Sequence, residues 1–513
     1  MCVRLYDKKE VCIMSSETKK VSKTKPTYWI HVVIGLLIMI GFPQLGPFEP
    51  ITETGMWVAG ILLGMVYLWS TIDNIWPSIL GLMLFALYSG FLGEEVVGYN
   101  AVKTVFLNAI GGDIVITVIL SMVLFGAVEY AGCTKYLARF FLSRKIITGR
   151  PYVFLFILFF CAYFIAGFTI PVASLLILWP LTFEALSTFG YTSKDKIYWI
   201  ATFGIYFAAA LGQPMFPFKG AALVITGVFT SASSIPVSYA GYIVYNLSFS
   251  ILMMLFFLLF VKFILRPDIT KMRDVTPEQF TKTPLPPMNI QQKATLIACL
   301  LFIIMALAPS FMPKEWALTQ ALSSYGTIGA LAFCIIVLMI LRFEGSPILN
   351  WRAIAKTSVS WDIIFIVAAA VYVCNSVAQP QTGLKEFIVQ TMTPILGNKP
   401  DFVFVGILLI VALITANFAN NAGMASILIP VALAFQDMYP NVPMIAVCMS
   451  ICMVVFVTGA TPAGSPYAAM LHGQKDKITF KQIETCALPM LLVAWVLYTF
   501  IGYNFAKIVF GLF

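Results

Sequence analysis

Polar residues in this chain are sparse and clustered, and the apolar stretches between them have the length of membrane crossings. A helix needs about 20 predominantly apolar residues to traverse the hydrocarbon. Charge-free stretches run over 26–48, 54–72, 74–93, 114–128, 151–183, 197–218, 220–261, 294–313, 316–341, 363–384, 402–436, 438–474 and 485–506. Two of them, 151–183 and 402–436, are too long for one helix and suit helical hairpins that return to the side they came from. Two others, 197–218 and 438–474, contain the Pro/Gly-rich interruptions GQPMFPFKG and TGATPAGSP, which break a helix. The pattern predicts an all-α polytopic membrane protein of about eleven transmembrane helices plus two re-entrant hairpins.

Composition agrees. Of 513 residues, 60% are hydrophobic and 11% charged, where soluble domains carry roughly 25% charge. The net charge of +9 is thinly spread, and no basic stretch carries interleaved stacking aromatics, which excludes nucleic acid as a partner. The partner is the lipid bilayer. Cysteines such as Cys161, Cys299, Cys334, Cys374, Cys448 and Cys452 lie inside apolar runs and read as small packing side chains. Seven basic residues precede Pro26, so residues 1–25 read as a cytoplasmic tail. That places Glu49, Glu53, Glu94 and Glu95 outside the cell membrane. Arg144, Lys145, Arg150, the linker 266–293, Lys475, Lys477 and Lys481 then fall inside.

The chain repeats itself. AIGGDIVITVIL around Asp113 pairs with SVSWDIIFIVAA around Asp362, LLILWPL with SILIPV at Pro180 and Pro430, and FPFKGAAL with SPYAAMLH at Pro217 and Pro466, at offsets of 249, 250 and 249 residues. Residues 26–265 form the first repeat, with a hairpin over about 151–190 and a broken helix over about 197–230. Residues 294–513 form the second, with a hairpin over about 401–436 and a broken helix over about 443–472. Two such halves in inverted orientation are the architecture of a secondary transporter, whose site lies where the broken helices meet.

Breaking a helix in hydrocarbon frees backbone groups that must be buried or line a cavity. Freed N-termini attract anions and freed carbonyls attract cations. The hairpin turns fall at Phe168–Val172 and Asn417–Ala422. Asn420 and Asn421 each can donate to a carboxylate or coordinate a cation. Lys219 is the only charge between Lys196 and Lys262 and sits within the first break, where an ionisable group is a functional candidate. Asp113 and Asp362 suit helix N-caps, His31 an interface and His472 core packing. Phe216 and Phe218 in the first break point to a less polar site.

At these breaks the chain resembles the divalent anion/sodium symporters, which include the sodium–dicarboxylate and citrate cotransporters. SVSWDIIFI, SILIPVALA and PAGSPYAAMLHG carry the resemblance, which runs from about residue 30 to the C-terminus. In that family the turns carry Ser-Asn-Thr motifs and the breaks Gly-Thr-Pro-Pro-Asn-like motifs. Each half builds one sodium site, the substrate carboxylates lie between the turns, and dimers move their hairpins like an elevator against a scaffold. Asn420-Asn421-Ala422 falls on the second turn motif and Gly464-Ser465-Pro466 on the second break motif. Ile170-Pro171-Val172 falls on the first turn motif without a polar side chain, and Lys219 takes the Asn position of the first break. The resemblance implies a substrate site of Thr169, Pro171, Lys219, Asn420, Asn421 and Ala422. It implies a cation site of Asn417, Asn421, Gly464, Ser465 and Pro466, with sodium in the second half only and no other cofactor. The expected function is secondary transport of a small organic anion, a dicarboxylate first, by cation-coupled symport or by exchange. A monocarboxylate, sulfonate or sulfate is the alternative cargo. An intramembrane enzyme would need GxGD, GxSG or HExxH, which are absent from the sequence, and a channel has no need of two matching halves.

Overall fold

The computed structural model describes residues 26–88, 98–274, 285–313, 315–377 and 379–512. The expected tail 1–25, Glu94 and Glu95, and the middle of the linker lie outside the described residues. In the first half the helices are α1 Pro26–Leu36, α2 Glu53–Thr71, α3 Ile75–Leu87, α4 Tyr99–Ile110, α5 Asp113–Tyr130, α6 Cys133–Leu142, α7 Pro151–Phe168, α8 Pro171–Thr188, α9 Lys196–Gly212, α10 Gly220–Ser233 and α11 Tyr239–Phe260. The second half has α12 Ile290–Phe311, α13 Ala317–Ile340, α14 Trp351–Thr357, α15 Trp361–Val377, α16 Leu384–Leu396, α17 Asp401–Ala416, α18 Asn421–Ala434, α19 Met444–Val454, α20 Pro466–Gly473, α21 Phe480–Leu497 and α22 Tyr503–Leu512. A two-residue strand pair, Arg342–Phe343 with Ser346–Pro347, is a turn between α13 and α14.

Local chemistry sets the helix ends. Prolines open α7, α8 and α20, where a missing N–H costs nothing. Capping boxes formed by Asn289 with Gln292 and by Thr479 with Gln482 start α12 and α21. Among the described residues, nine helices are long and apolar enough to cross a membrane. The number is eleven if two bent pairs, α14 with α15 at 77° and α16 with α17 at 107°, each count as one span.

The order α5 to α11 recurs as α15 to α21, and the hairpin helices α7/α8 and α17/α18 begin 250 residues apart. The helices break between Phe168 and Pro171 and between Ala416 and Asn421. The arms are unequal: 18 residues each in the first hairpin, 16 and 14 in the second. Each post-break helix crosses to the other half. α10 packs on α18 and α19, and α20 packs on α8 and α9. Buried polar links reinforce the exchange, with Tyr206 and Thr458 hydroxyls 3.1 Å apart and Tyr245 and Ser450 hydroxyls 2.7 Å apart.

Several expectations need correction. The stretch 220–261 is two helices, because Ser234 takes a left-handed conformation (φ 59°) and Pro236 follows it. Helices α4, α6, α14 and α16 were hidden from a search for charge-free stretches by their shortness or by their charges. The linker is shorter than 266–293, since α12 already begins at Ile290. Asp113 is no N-cap. Gly112 holds that position, and the carboxylate sits in the first turn, facing the helix dipole. Asp362 is likewise in the first turn of α15, and Ser360 Oγ accepts the Ile363 N–H at 3.4 Å.

Helix α9 lies close against α7. A Cβ on Gly212 would lie 2.2 Å from the Tyr163 carbonyl oxygen, a backbone atom that cannot swing aside. Gly212→Leu is expected to lower stability by about 3 kcal/mol, the upper range for overpacking. The check is the thermal unfolding midpoint of the detergent-solubilised protein; an unchanged midpoint would show that the hairpin shifts freely on α9.

Candidate functional site

A cavity of about 630 Å³ opens between the two hairpin turns and the two breaks. Ile170–Val172 and Asn420–Ala422 supply the turns, Ala221 and Pro462–Tyr467 the breaks, and Ser360 and Asp362 the start of α15. Trp69, Ser70 and Asn74 line it from α2 and the start of α3, and Gln213 from the end of α9. The first turns of α3, α8, α10, α15, α18 and α20 therefore all reach one space. Each helix start carries roughly half a positive charge, so the cavity attracts anions without a cationic side chain in its wall. The α8 and α10 starts have no side-chain cap. In the second half Asn420 Oδ1 accepts the Ala422 and Gly423 N–H groups at 3.0 and 3.2 Å, and Ser465 Oγ accepts that of Ala468 at 3.1 Å.

Three buried polar atoms around this cavity have no protein partner, Asn74 Oδ1, Gln213 Oε1 and Asn421 Oδ1, while the Tyr467 hydroxyl faces the side chains of Ser465, Thr458 and Asn421. Buried polar atoms are nearly always paired, so three orphans in one wall single this cavity out as the candidate site. Asn421 Oδ1, beside Ser465 and Gly464, suits a hard cation such as sodium. Gly464 packs tightly there, since a Cβ would lie 3.0 Å from the Ala416 carbonyl oxygen.

Asn417 lines neither this cavity nor the adjoining one. Its amide donates to Leu413 O at 2.8 Å and accepts from Ala460 N–H at 3.1 Å, and its backbone carbonyl accepts the Thr461 hydroxyl. It latches the second turn to the second break. Lys219 is the first half's counterpart to that latch. Its ammonium donates to Gly167 O at 2.6 Å and to Thr169 O, 5.1 Å from the Phe125 ring centroid. Gly167 lies 250 residues before Asn417. Equivalent turn carbonyls are thus held by a charge in one half and a neutral hydroxyl in the other. The lysine turns inward and does not snorkel.

Lys219 and Thr169 belong to an adjoining cavity of about 370 Å³, which also contains Glu129. The two cavities share Ile170, Pro171, Gln213, Ala221, Ser360 and Ile363. The sequence-derived set therefore divides. Pro171, Asn420, Asn421, Ala422, Gly464, Ser465 and Pro466 meet in the main cavity, and Thr169 and Lys219 stand behind it. Phe216 and Phe218 are buried and line neither cavity. They stack with each other at 5.3 Å and with Phe125 at 5.8 and 6.3 Å, packing the loop that carries Lys219. His472 Nε2 lies 3.0 Å from Gly459 O, and His31 Nδ1 lies 2.7 Å from the Tyr67 hydroxyl; both are structural. Sequence reasoning missed Asn74, Tyr467, Gln213 and Glu129. Gln213 was visible inside the break motif. Glu129 ended a charge-free stretch and so read as a helix end, which it is, in the last turn of α5; only packing brings it into the cavity.

This geometry is that of a carrier, and a known family accounts for it. The family model described as the sodium:sulfate symporter transmembrane region matches residues 77–512. The chain belongs to that family: it is a multi-pass membrane protein and a secondary transporter, not an enzyme. Among solved structures, the crystal structure of the Alcanivorax borkumensis YdaH transporter is similar with a TM-score of 0.54 and 14% identity, over 85% of this chain and 97% of that one. That likeness is one of fold. No curated protein matches the chain.

Lys219 is the cation and Glu129 the acid of the smaller cavity, so their energies should be coupled. Lys219→Met leaves Glu129 facing a low-dielectric space alone and is expected to lower the unfolding midpoint. Adding Glu129→Gln should restore part of it, with a coupling energy of about 0.5–3 kcal/mol. Strictly additive midpoints in this double-mutant cycle would show that the two charges do not sense each other.

Proposed function

We propose that the protein carries small organic anions, dicarboxylates first, by anion exchange or with at most one sodium ion. The observation that carries this reading is the Lys219 ammonium on the first-turn carbonyls, beside a cavity ringed by helix N-termini. In the resembled family a sodium ion would neutralise that turn. A lysine does the same without leaving, and a fixed charge travels on both legs of the cycle. The empty carrier then retains a charge that a bound anion balances more fully than the neighbouring Glu129 does alone, which favours exchange. The second half keeps Asn421 with an unpaired Oδ1 next to Gly464 and Ser465, which supports one sodium site there. Asp362 in the same cavity wall disfavours a second negative charge on the cargo and supports a monocarboxylate or sulfonate as the second reading.

The wider mechanism is an elevator. The cavity-lining turns and breaks move together against a scaffold built around α2, α12 and α13, in a homodimer. The scaffold face of α12 and α13 supports this, since Ile297, Leu300, Phe311, Tyr325 and Ile336 are exposed there to lipid or a partner copy. The basic residues of 144–150 and 475–481 support a cytoplasmic N-terminus in the cell membrane.

Proteoliposomes test the proposal. Labelled dicarboxylate should enter vesicles preloaded with unlabelled anion and should not accumulate in empty ones. Sodium should be unnecessary or act with a Hill coefficient near one; a coefficient clearly above one would mean that the first turn binds sodium despite Lys219. Lys219→Met should abolish uptake, and uptake at the wild-type rate and affinity would end the reading. Asn421→Ala should fold normally and bind about ten- to hundredfold more weakly, the cost of a hydrogen bond to a charged group.

A further inference from the structure

Helix α6 is fastened to the segment that leads into α12. Gln292 Nε2 donates to Ala131 O at 3.0 Å, and the Tyr136 hydroxyl donates to Pro286 O at 3.0 Å. Its other side stands off from α8, the second arm of the first hairpin, and leaves a groove of about 290 Å³. The walls are apolar: Ala138 and Leu142 from α6, and Leu176, Ile177 and Leu181 from α8. Leu176 is 61% exposed. Lys135 and Arg139, one helical turn apart on α6, line the same groove. Among the described residues neither has an acidic partner, the one ion pair there being Lys385 with Asp437. Arg144, Lys145 and Arg150 follow, and the segment 131–150 contains no Asp or Glu.

An apolar slot with two unpaired cations has a specific complement. An acyl chain covers the leucines, and a phosphate on the same molecule meets the lysine and the arginine, the arginine through its planar fork. We propose that this groove binds one anionic phospholipid, its phosphate on Lys135 and Arg139 and an acyl chain along Leu176, Ile177 and Leu181. The lipid bridges α6 and the hairpin arm, so its occupancy sets how readily the hairpin slides. The site does not depend on which anion the protein carries.

The test uses the full chain reconstituted in phosphatidylcholine with and without phosphatidylglycerol, with bound lipid counted by native mass spectrometry after mild detergent extraction. Phosphatidylglycerol should be retained in preference to phosphatidylcholine. Each basic residue near an anionic headgroup contributes about a fivefold preference, so Lys135→Gln should weaken retention about fivefold and Lys135→Gln with Arg139→Gln roughly thirtyfold. Arg144→Gln, which removes an equal charge outside the groove, should change nothing. Leu176→Trp fills the slot with both cations intact and should expel the lipid. Equal retention of the two lipids, an equal effect of Arg144→Gln, or phosphatidylglycerol retention that survives Leu176→Trp would each overturn the site. Displacement of the lipid by inorganic phosphate would also overturn it, as the mark of a plain anion patch.

Discussion

A helix interrupted inside a membrane exposes backbone carbonyls and N–H groups to a solvent that cannot pair with them. Everything around the cavity follows from how this chain meets that constraint. In the second half, Asn417 and Thr461 stitch turn to break with neutral hydrogen bonds. In the first half the same job falls to a single ammonium on Gly167 O and Thr169 O. One choice leaves Asn421 Oδ1 open to a small cation. The other builds the cation in.

The fold was legible to the extent that it rests on periodicity and on prolines. Pro171 and the Asn420–Asn421 pair mark the hairpin turns because a helix start accommodates the one and rewards the other. The amphipathic helices α6 and α16 escaped notice because their charges, Lys135 and Arg139 in one case, Lys385 and Glu386 in the other, interrupt the apolar runs used to find spans. Ser234 ended α10 without a glycine to announce it.

The site was half legible. Asn421, Ser465 and Lys219 stood out as polar groups where hydrocarbon was expected. Gln213 and Asn74 sit at helix ends, where a polar residue is ordinary, and only tertiary packing turns them toward the cavity. The aromatic residues at 216 and 218 pointed the wrong way. Sequence shows that a ring is present, not whether it faces a cargo or, as here, stacks behind the loop that holds Lys219.

The exchange of α10 and α20 between halves has a mechanical result. With α10 seated on α18 and α19, α20 seated on α8 and α9, and Tyr206 bonded to Thr458 across the seam, each hairpin is braced by the opposite repeat. Opening one turn alone would tear contacts from both. The clasped halves are consequently cross-braced, so neither hairpin can shift without disturbing the seam it shares with its counterpart.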